Sequence, residues 1–164
     1  MNLRSKNYNL KSSQGFTLIE LLVVMAILVI LFALVLVAVN PVRQTQQANN
    51  VKRRGDINAI VNATNQYAAD NAGKLPTGIT TTLRIIGTTL SACDTTICAG
   101  EFPSATCLDL GGMIAPRYIA AMPYDPSTGT DAKTRYGIKT SATESRLTVK
   151  ACDAELSETI SVVQ

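Results

Sequence analysis

The chain has 164 residues and a formal net charge of +3, enough for one small domain with additional segments. It contains no histidine, which excludes Ser-His-Asp and Cys-His catalysis and removes the commonest metal ligand. Three cations lie in the first fifteen residues, and the remaining charges balance at twelve basic and twelve acidic side chains. The sequence therefore predicts neither an enzyme nor a basic nucleic-acid-binding surface.

Residues 1–15, MNLRSKNYNLKSSQG, form a polar, cationic leader without an apolar segment of its own. In a secretory signal peptide the cleavage site follows the apolar region, whereas here the candidate site, Gly15, precedes it. Residues 16–39 are apolar except for Thr17 and Glu20. As a helix this run covers about 36 Å, more than the ~30 Å hydrocarbon core of a bilayer. We therefore predict a transmembrane helix.

Cations on both sides of the run bear on its orientation. The leader favours a cytoplasmic N-terminus, whereas Arg43 and the cluster at 52–54 follow on the other side. We predict the N-terminus inside, because the short leader is wholly cationic and because paired cysteines belong outside the cytoplasm. The protein would then be a single-pass inner-membrane protein with an extracytoplasmic head.

Asn40 and Pro41 end the apolar run, and helical periodicity resumes directly after them. Proline inside a helix usually kinks it, but membrane neighbours can satisfy the freed carbonyl. We therefore predict one long helix over 16–71, with a transmembrane half at 16–40 and an amphipathic half at 41–71. The amphipathic half has an apolar face formed by Ile57, Ile60, Val61, Thr64, Tyr67 and Ala68.

Residues 72–164 predict a small α+β head. The segments TRYGIKT at 134–140 and SRLTVKAC at 145–152 alternate polar and apolar side chains, as half-buried strands do. SETISVV at 157–163 is a third strand candidate, and a short helix is predicted within 107–114. The predicted architecture is the long helix packed on a small antiparallel sheet.

Four cysteines follow the apolar run: Cys93, Cys98, Cys107 and Cys152. An even number in an exported region favours two disulfides over free thiols or a metal site, because exported chains meet an oxidising compartment. The spacing also lacks the paired C-x-x-C of a zinc ribbon. Sequence does not separate the three pairings. We favour Cys93 with Cys98, which closes a short loop, and Cys107 with Cys152, which ties the predicted helix to the sheet.

The segment GFTLIELLVVMAILVIL at 15–31 resembles the cleavage and methylation segment of type IV pilins and of the pseudopilins of type II secretion. The resemblance is close over 15–40 and looser through RRGDINAIVNATNQYAADNAGKLP at 53–76. APRYIAAMPYDP at 115–126 is similar in arrangement to the proline-aspartate-proline segment of major-pseudopilin heads. The resemblance implies a type IV pilin-like fold.

Three residues acquire roles from this resemblance. Gly15 would be the last leader residue, recognised by a membrane-embedded prepilin peptidase that cuts before Phe16. Phe16 would become the N-methylated mature N-terminus. Glu20 would match the acidic residue through which these subunits assemble, with their helices packed in the filament core and their heads outside.

The position of Glu20 also has a physical explanation. A carboxylate at the bilayer centre costs about 2.5–3.5 kcal/mol on insertion scales, so intramembrane charges usually have a partner or a function. Cleavage would create an amine at Phe16, one helical turn away on the same face. Glu20 would neutralise either this amine or that of the next subunit, and the resemblance implies the second. The alternative is a carboxylate tolerated near the membrane interface.

Asp125 and Asp131 are calcium candidates, because heads of the major-pseudopilin type often bind calcium in this region. Their segment, YDPSTGTD at 124–131, offers hard oxygen ligands in a glycine-containing loop. It is equally typical of a solvated turn, which is the interpretation we favour. No cofactor is therefore predicted.

We expect a pilin-like structural subunit that is polymerised into an extracytoplasmic filament, either a type IV pilus or a type II secretion pseudopilus. Its partners would be further pilin subunits, the prepilin peptidase, an inner-membrane assembly platform and membrane lipid. The alternative is a membrane-anchored binding protein that does not polymerise. Glu20 separates the two hypotheses, because a plain anchor has no use for it.

Overall fold

The structure, a computed structural model, describes residues 15–88, 93, 98, 107–143 and 146–164. The chain divides into two compact units, Met1–Pro41 and Val42–Gln164. In chain order the elements are α1 (Leu18–Val39), α2 (Pro41–Asp70), β1 (Arg84–Ile85), α3 (Gly111–Ile114), β2 (Tyr136–Thr140), β3 (Leu147–Ala151) and β4 (Ile160–Val163). The α+β class, with a long apolar N-terminal helix, is confirmed and is consistent with a pilin-like fold.

Helix α1 is apolar on all sides. Its N-terminus is capped by Thr17, whose Oγ1 accepts a hydrogen bond from the Glu20 backbone N–H at 3.2 Å. None of its residues is buried. Among the described residues, α1 is the helix that is long and apolar enough to cross a membrane.

Asn40 separates the two helices, so the predicted single helix over 16–71 is wrong. Its backbone is left-handed, with φ 42° and ψ 76°, and Pro41 begins α2 directly after it. A left-handed residue ends a helix, and asparagine adopts this conformation more readily than most side chains. Proline suits the first helical position, where its missing N–H is not needed. Asn40 therefore ends α1, and Pro41 begins α2.

The buried face of α2 packs into the core of the second unit. Ile57, Ile60 and Val61 are buried, as predicted, together with Thr64, whereas Tyr67 and Ala68 are half-buried. Their main partners are Tyr136, Ile138 and Val149 of the sheet and Leu110 and Ile114 around α3. Two polar residues nearer the start of α2, Asn50 and Arg53, are also buried and were not predicted.

The sheet has four antiparallel strands in the order β1-β2-β3-β4. All three predicted strands are confirmed with shorter bounds, whereas β1 is too short, at two residues, to show an alternating pattern. The predicted helix within 107–114 is confined to the four residues of α3.

Two disulfides are present, as predicted, but the favoured pairing is wrong. The bonds join Cys93 to Cys107 and Cys98 to Cys152. Cys107 precedes Leu108, which bridges to Ile86 beside β1, so this cysteine is held next to the sheet. All four cysteines pack with Leu83 and Ile85 in a second apolar cluster. Each disulfide therefore joins a cysteine beside the sheet, Cys107 or Cys152, to one from the segment between β1 and Cys107, and the closest pair in sequence is not bonded.

Candidate functional site

The first candidate site is the start of α1, where Gly15, Phe16 and Glu20 lie together in sequence. Gly15 and Phe16 precede the helix in irregular, exposed backbone. The Phe16 side chain is 82% exposed, and a Cβ added at Gly15 would meet nothing within 4 Å. The peptide bond between them is therefore outside the helix.

Glu20 is the single ionisable residue of α1 and the third residue of the helix. Thr17 at the N-cap with a glutamate three residues later matches the capping-box pattern, in which both side chains bond the helix start. The structure contains the threonine half of this arrangement. A carboxylate in the first turn is also favoured by the helix dipole. This local role for Glu20 was not among the sequence-based predictions, although Thr-x-x-Glu was the signal for it.

The remaining surface of α1 is a continuous apolar face. Side chains such as Phe32, Leu34 and Val37 are more than 60% exposed. Met25, Leu28, Val29 and Phe32 line a shallow apolar groove of about 370 Å³ on this helix. Exposed apolar surface of this extent marks a membrane or protein contact, because soluble chains rarely leave it in water.

The second candidate site is a buried polar network around Arg53. The Arg53 side chain is 0% exposed. Its Nε donates to Asp125 Oδ2 at 2.6 Å, and its Nη2 donates to Asp125 Oδ1 at 3.1 Å and to Ser127 Oγ at 2.8 Å. Its Nη1 donates to Glu155 Oε2 at 2.9 Å and to Asn50 Oδ1 at 2.8 Å. All five guanidinium N–H donors are thus satisfied.

The network joins three parts of the chain. Asn50 and Arg53 come from α2, Asp125 and Ser127 from the turn after α3, and Glu155 from the connection between β3 and β4. Asn50 fixes this connection through its amide, which donates to the Glu155 carbonyl at 2.8 Å and accepts from the Glu155 N–H at 3.0 Å. The network therefore holds two loops on one helix.

The pKa values of both buried ions are shifted toward the charged forms. Burial alone would raise the pKa of Asp125, but hydrogen bonds from Arg53, Ser127 and Thr128 lower it to about 2. Burial alone would lower the pKa of Arg53, but its bonds to Asp125 and Glu155 raise it further above its usual range. Both side chains are accordingly charged at neutral pH.

This geometry bears on the calcium hypothesis for Asp125 and Asp131. Both oxygens of Asp125 accept from Arg53, and its Oδ1 also accepts the Ser127 and Thr128 N–H groups at 2.9 and 3.1 Å. The carboxylate is therefore used by a guanidinium and a turn, and Asp131 is exposed on the surface. Within the described residues, no three acidic, cysteine or histidine side chains gather into a metal-binding group. Asp125 is thus the anionic partner of Arg53, and calcium binding at Asp125 and Asp131 stays a prediction.

Tyr136 makes a further polar contact with α2. Its hydroxyl donates to Asp56 Oδ2 at 2.7 Å, and Lys52 pairs with the same carboxylate at 3.0 Å. Burial, and then the bond to Asp56, raise the pKa of Tyr136 well above its usual value. The four charged residues of KRRGD at 52–56 thus bond α2 to other parts of the head.

The N-terminal segment has a match among known families. The prokaryotic N-terminal methylation motif matches residues 10–36, which include Gly15, Phe16, Glu20 and most of α1. This motif is the prepilin-type signal of type IV pilins and pseudopilins, so the predicted resemblance is confirmed. The family consists of structural pilin-type proteins, not enzymes. No curated protein and no solved structure matches the chain.

Proposed function

We propose that the chain is a pilin-like structural subunit of an extracytoplasmic filament, either a type IV pilus or a type II secretion pseudopilus. Prepilin peptidase would cleave between Gly15 and Phe16 and methylate the new Phe16 amine. The observation that carries the proposal is the methylation motif at 10–36, which falls on a helix with no buried residue. Such a helix needs an apolar environment, which a membrane supplies before assembly and neighbouring helices supply afterwards.

The charge of Glu20 supports assembly through α1. Cleavage before Phe16 would place an amine four residues before Glu20 in the chain, just ahead of the first turn of α1. In an apolar filament core, an ammonium and a carboxylate from adjacent subunits would neutralise each other. Because the position of each charge along the helix is fixed, the pair would also fix the axial offset between subunits.

The remaining partners follow from the same proposal. The cationic leader would stay in the cytoplasm, and the disulfide-containing head would face the oxidising side of the inner membrane. Membrane lipid would surround α1 in the unassembled pool. An inner-membrane assembly platform would then draw the mature subunits into the filament.

One observation favours the alternative, a membrane-anchored binding protein that does not polymerise. The hydrogen bond from the Glu20 N–H to Thr17 Oγ1 is the threonine half of a capping box, and the Glu20 side chain could complete this box without a second subunit. In a filament subunit Glu20 would act through its charge, whereas in the anchored protein it would act through hydrogen bonds at the helix start.

Processing is tested by intact-mass measurement of the membrane and filament pools. We expect a mature protein that begins at Phe16 and carries one additional methyl group, together with filaments of this subunit in electron micrographs. Gly15→Leu should block cleavage and leave membrane insertion intact, whereas Gly15→Ala is the matched small-residue control. A Cβ added at Gly15 would meet nothing within 4 Å, so the alanine control introduces no clash. Cleavage after Val39 or later would instead indicate an ordinary signal peptide.

A further inference from the structure

A basic groove lies on the sheet face opposite the core. It has a volume of about 410 Å³ and is lined by Lys139 and Arg146 with the hydroxyl residues Thr81, Ser141 and Thr148. Lys139 pairs with Thr148 across β2 and β3, and Thr148 pairs with Val163 across β3 and β4. These three side chains therefore form one row, because residues paired across a sheet point to the same face.

An acidic pocket lies beyond the end of β1. It has a volume of about 280 Å³, and its lining includes Ile86 and Met122 with the carboxylates of Asp109 and Asp131. Both aspartates are exposed. Asp131 is placed there by its carbonyl, which accepts a hydrogen bond from the Thr88 N–H at 3.4 Å. The pocket therefore combines an apolar floor with two anionic side chains.

The two surfaces are at opposite ends of the sheet. At the basic end, the Thr140 N–H donates to the Thr80 carbonyl at 2.9 Å. At the acidic end, the Ile86 N–H donates to the Tyr136 carbonyl at 2.9 Å. Strand β2 runs between these two points and covers about 14 Å at ~3.4 Å per residue. One head thus presents cations at one end and anions at the other.

We infer that the basic groove of one subunit binds the acidic pocket of a second copy of this chain, in a repeated head-to-tail contact. The charged residues that line the groove are both basic, Lys139 and Arg146, whereas those that line the pocket are both acidic, Asp109 and Asp131. A contact between two different patches is heterologous, and it continues into an open filament unless it closes into a ring. The inference rests on the proposed function and adds to it a second subunit contact, in the heads.

The contact is tested with charge reversals in the full chain, expressed with its own assembly machinery. Lys139→Glu places like charges at the contact, as does Asp131→Lys from the other side. We expect each variant to lower the filament fraction of the subunit several-fold, because like charges placed opposite each other oppose the right docking geometry. Lys74→Glu is the matched control, since Lys74 is exposed and lines neither surface.

Mixing the two defective variants gives the sharpest test. Glu at 139 of one variant would meet Lys at 131 of the other, and the second variant's Lys139 would meet the first variant's Asp131. Coexpression should therefore restore filaments in which the two subunits alternate, and so should the double variant on its own. A folding defect in either chain would not be rescued in this way.

Several results would overturn the inference. Wild-type assembly by both single variants would exclude the contact while leaving the proposed function intact. Loss with Lys139→Glu alone, without rescue by mixing, would assign the groove to another anionic ligand, such as a polysaccharide. If the wild-type chain forms no filament, the proposed function fails and this inference fails with it.

Discussion

Helices α1 and α2 follow each other directly in the chain but obtain their stability in different ways. α2 is predominantly polar, yet seven of its residues are buried against the head. α1 is apolar except for Glu20, yet none of its residues is buried. Apolar composition alone therefore does not identify the core of this protein. The most apolar helix is the one that needs an apolar environment beyond the described residues, because none of its own residues is buried.

The charged residues of the two helices show the same contrast. Arg53 of α2 is fully buried, and its five N–H donors are all satisfied within the chain. Among the described residues, Glu20 of α1 has no cationic partner. One charge is neutralised by folding, and we expect the other to be neutralised by assembly. Variants of each helix should accordingly fail at different steps.

The largest effect on the head should come from Arg53→Leu. Removing the guanidinium leaves Asp125 as a buried, unpaired carboxylate, which costs about 3–5 kcal/mol of unfolding free energy. Urea unfolding of the head, followed by near-ultraviolet circular dichroism in detergent, measures this loss. Membrane insertion of α1 should be unchanged.

Arg54→Leu is the matched control for this experiment. Its partner is Glu158, and the two side chains are 53% and 37% exposed. Exposed pairs contribute about 0–1 kcal/mol, so the control should be close to wild type. Equal losses for the two arginines would contradict the assignment of Arg53 as the central residue of the network.

A somewhat smaller effect is expected for the disulfides. The bond between Cys98 and Cys152 has a sequence separation of 54, and that between Cys93 and Cys107 a separation of 14. In the loop-entropy model, replacing both partners with alanine costs about 4 kcal/mol for the longer loop and about 3 kcal/mol for the shorter one. Peptide mapping without reduction checks the pairing, and linkage of Cys93 to Cys98 would contradict it.

The smallest of the three effects is the loss of head stability at low pH. The pKa of Asp125 is lowered to about 2 in the folded head, below its ordinary value. The unfolded chain therefore binds this proton first, and the stabilisation from ionised Asp125 is present above about pH 4 and lost as the pH falls toward 2. We expect the head to lose about 2 kcal/mol over this window in urea titrations. Asp125→Asn should lack this step, and an unchanged pH profile in that variant would assign it to other groups.

The apolar run and the alternating strands were predictable from the sequence because each has a strong local pattern. The cut between Gly15 and Phe16 and the role of Glu20 depend on such a pattern too, and remain proposals. Arg53 was not predictable in its role, since nothing in the basic run at 52–54 indicates which of its side chains will be buried. Its partners, Asp125 and Glu155, are 72 and 102 residues away. Only the folded chain brings them together.

The break at Asn40 and the disulfide pairing show a second limit of prediction from sequence. Proline after an apolar run is compatible with a kinked helix or with a new one, and the choice depends on the left-handed backbone of Asn40. Cysteine pairing likewise depends on the position of Cys107 beside β1, which no local pattern contains. Both errors arose where a local rule had two acceptable outcomes and the tertiary structure selected one.

The most direct test of the difference between the two helices is the variant Glu20→Gln. Glutamine serves in a capping box as glutamate does, so this change keeps the helix start but removes the charge. Glu20→Ala, which removes both, is the companion variant. The measurement is the ratio of filament to membrane-pool subunit, with cleavage before Phe16 confirmed by mass. If Glu20 pairs with the amine of a neighbouring subunit, both variants should be processed normally. Their filament ratios should fall at least about tenfold, because losing an ion pair worth about 1.4 kcal/mol per subunit changes an equilibrium constant by a factor of ten. Normal assembly by Glu20→Gln, with loss only in Glu20→Ala, would contradict this account and leave Glu20 acting through hydrogen bonds at the start of α1, without its charge.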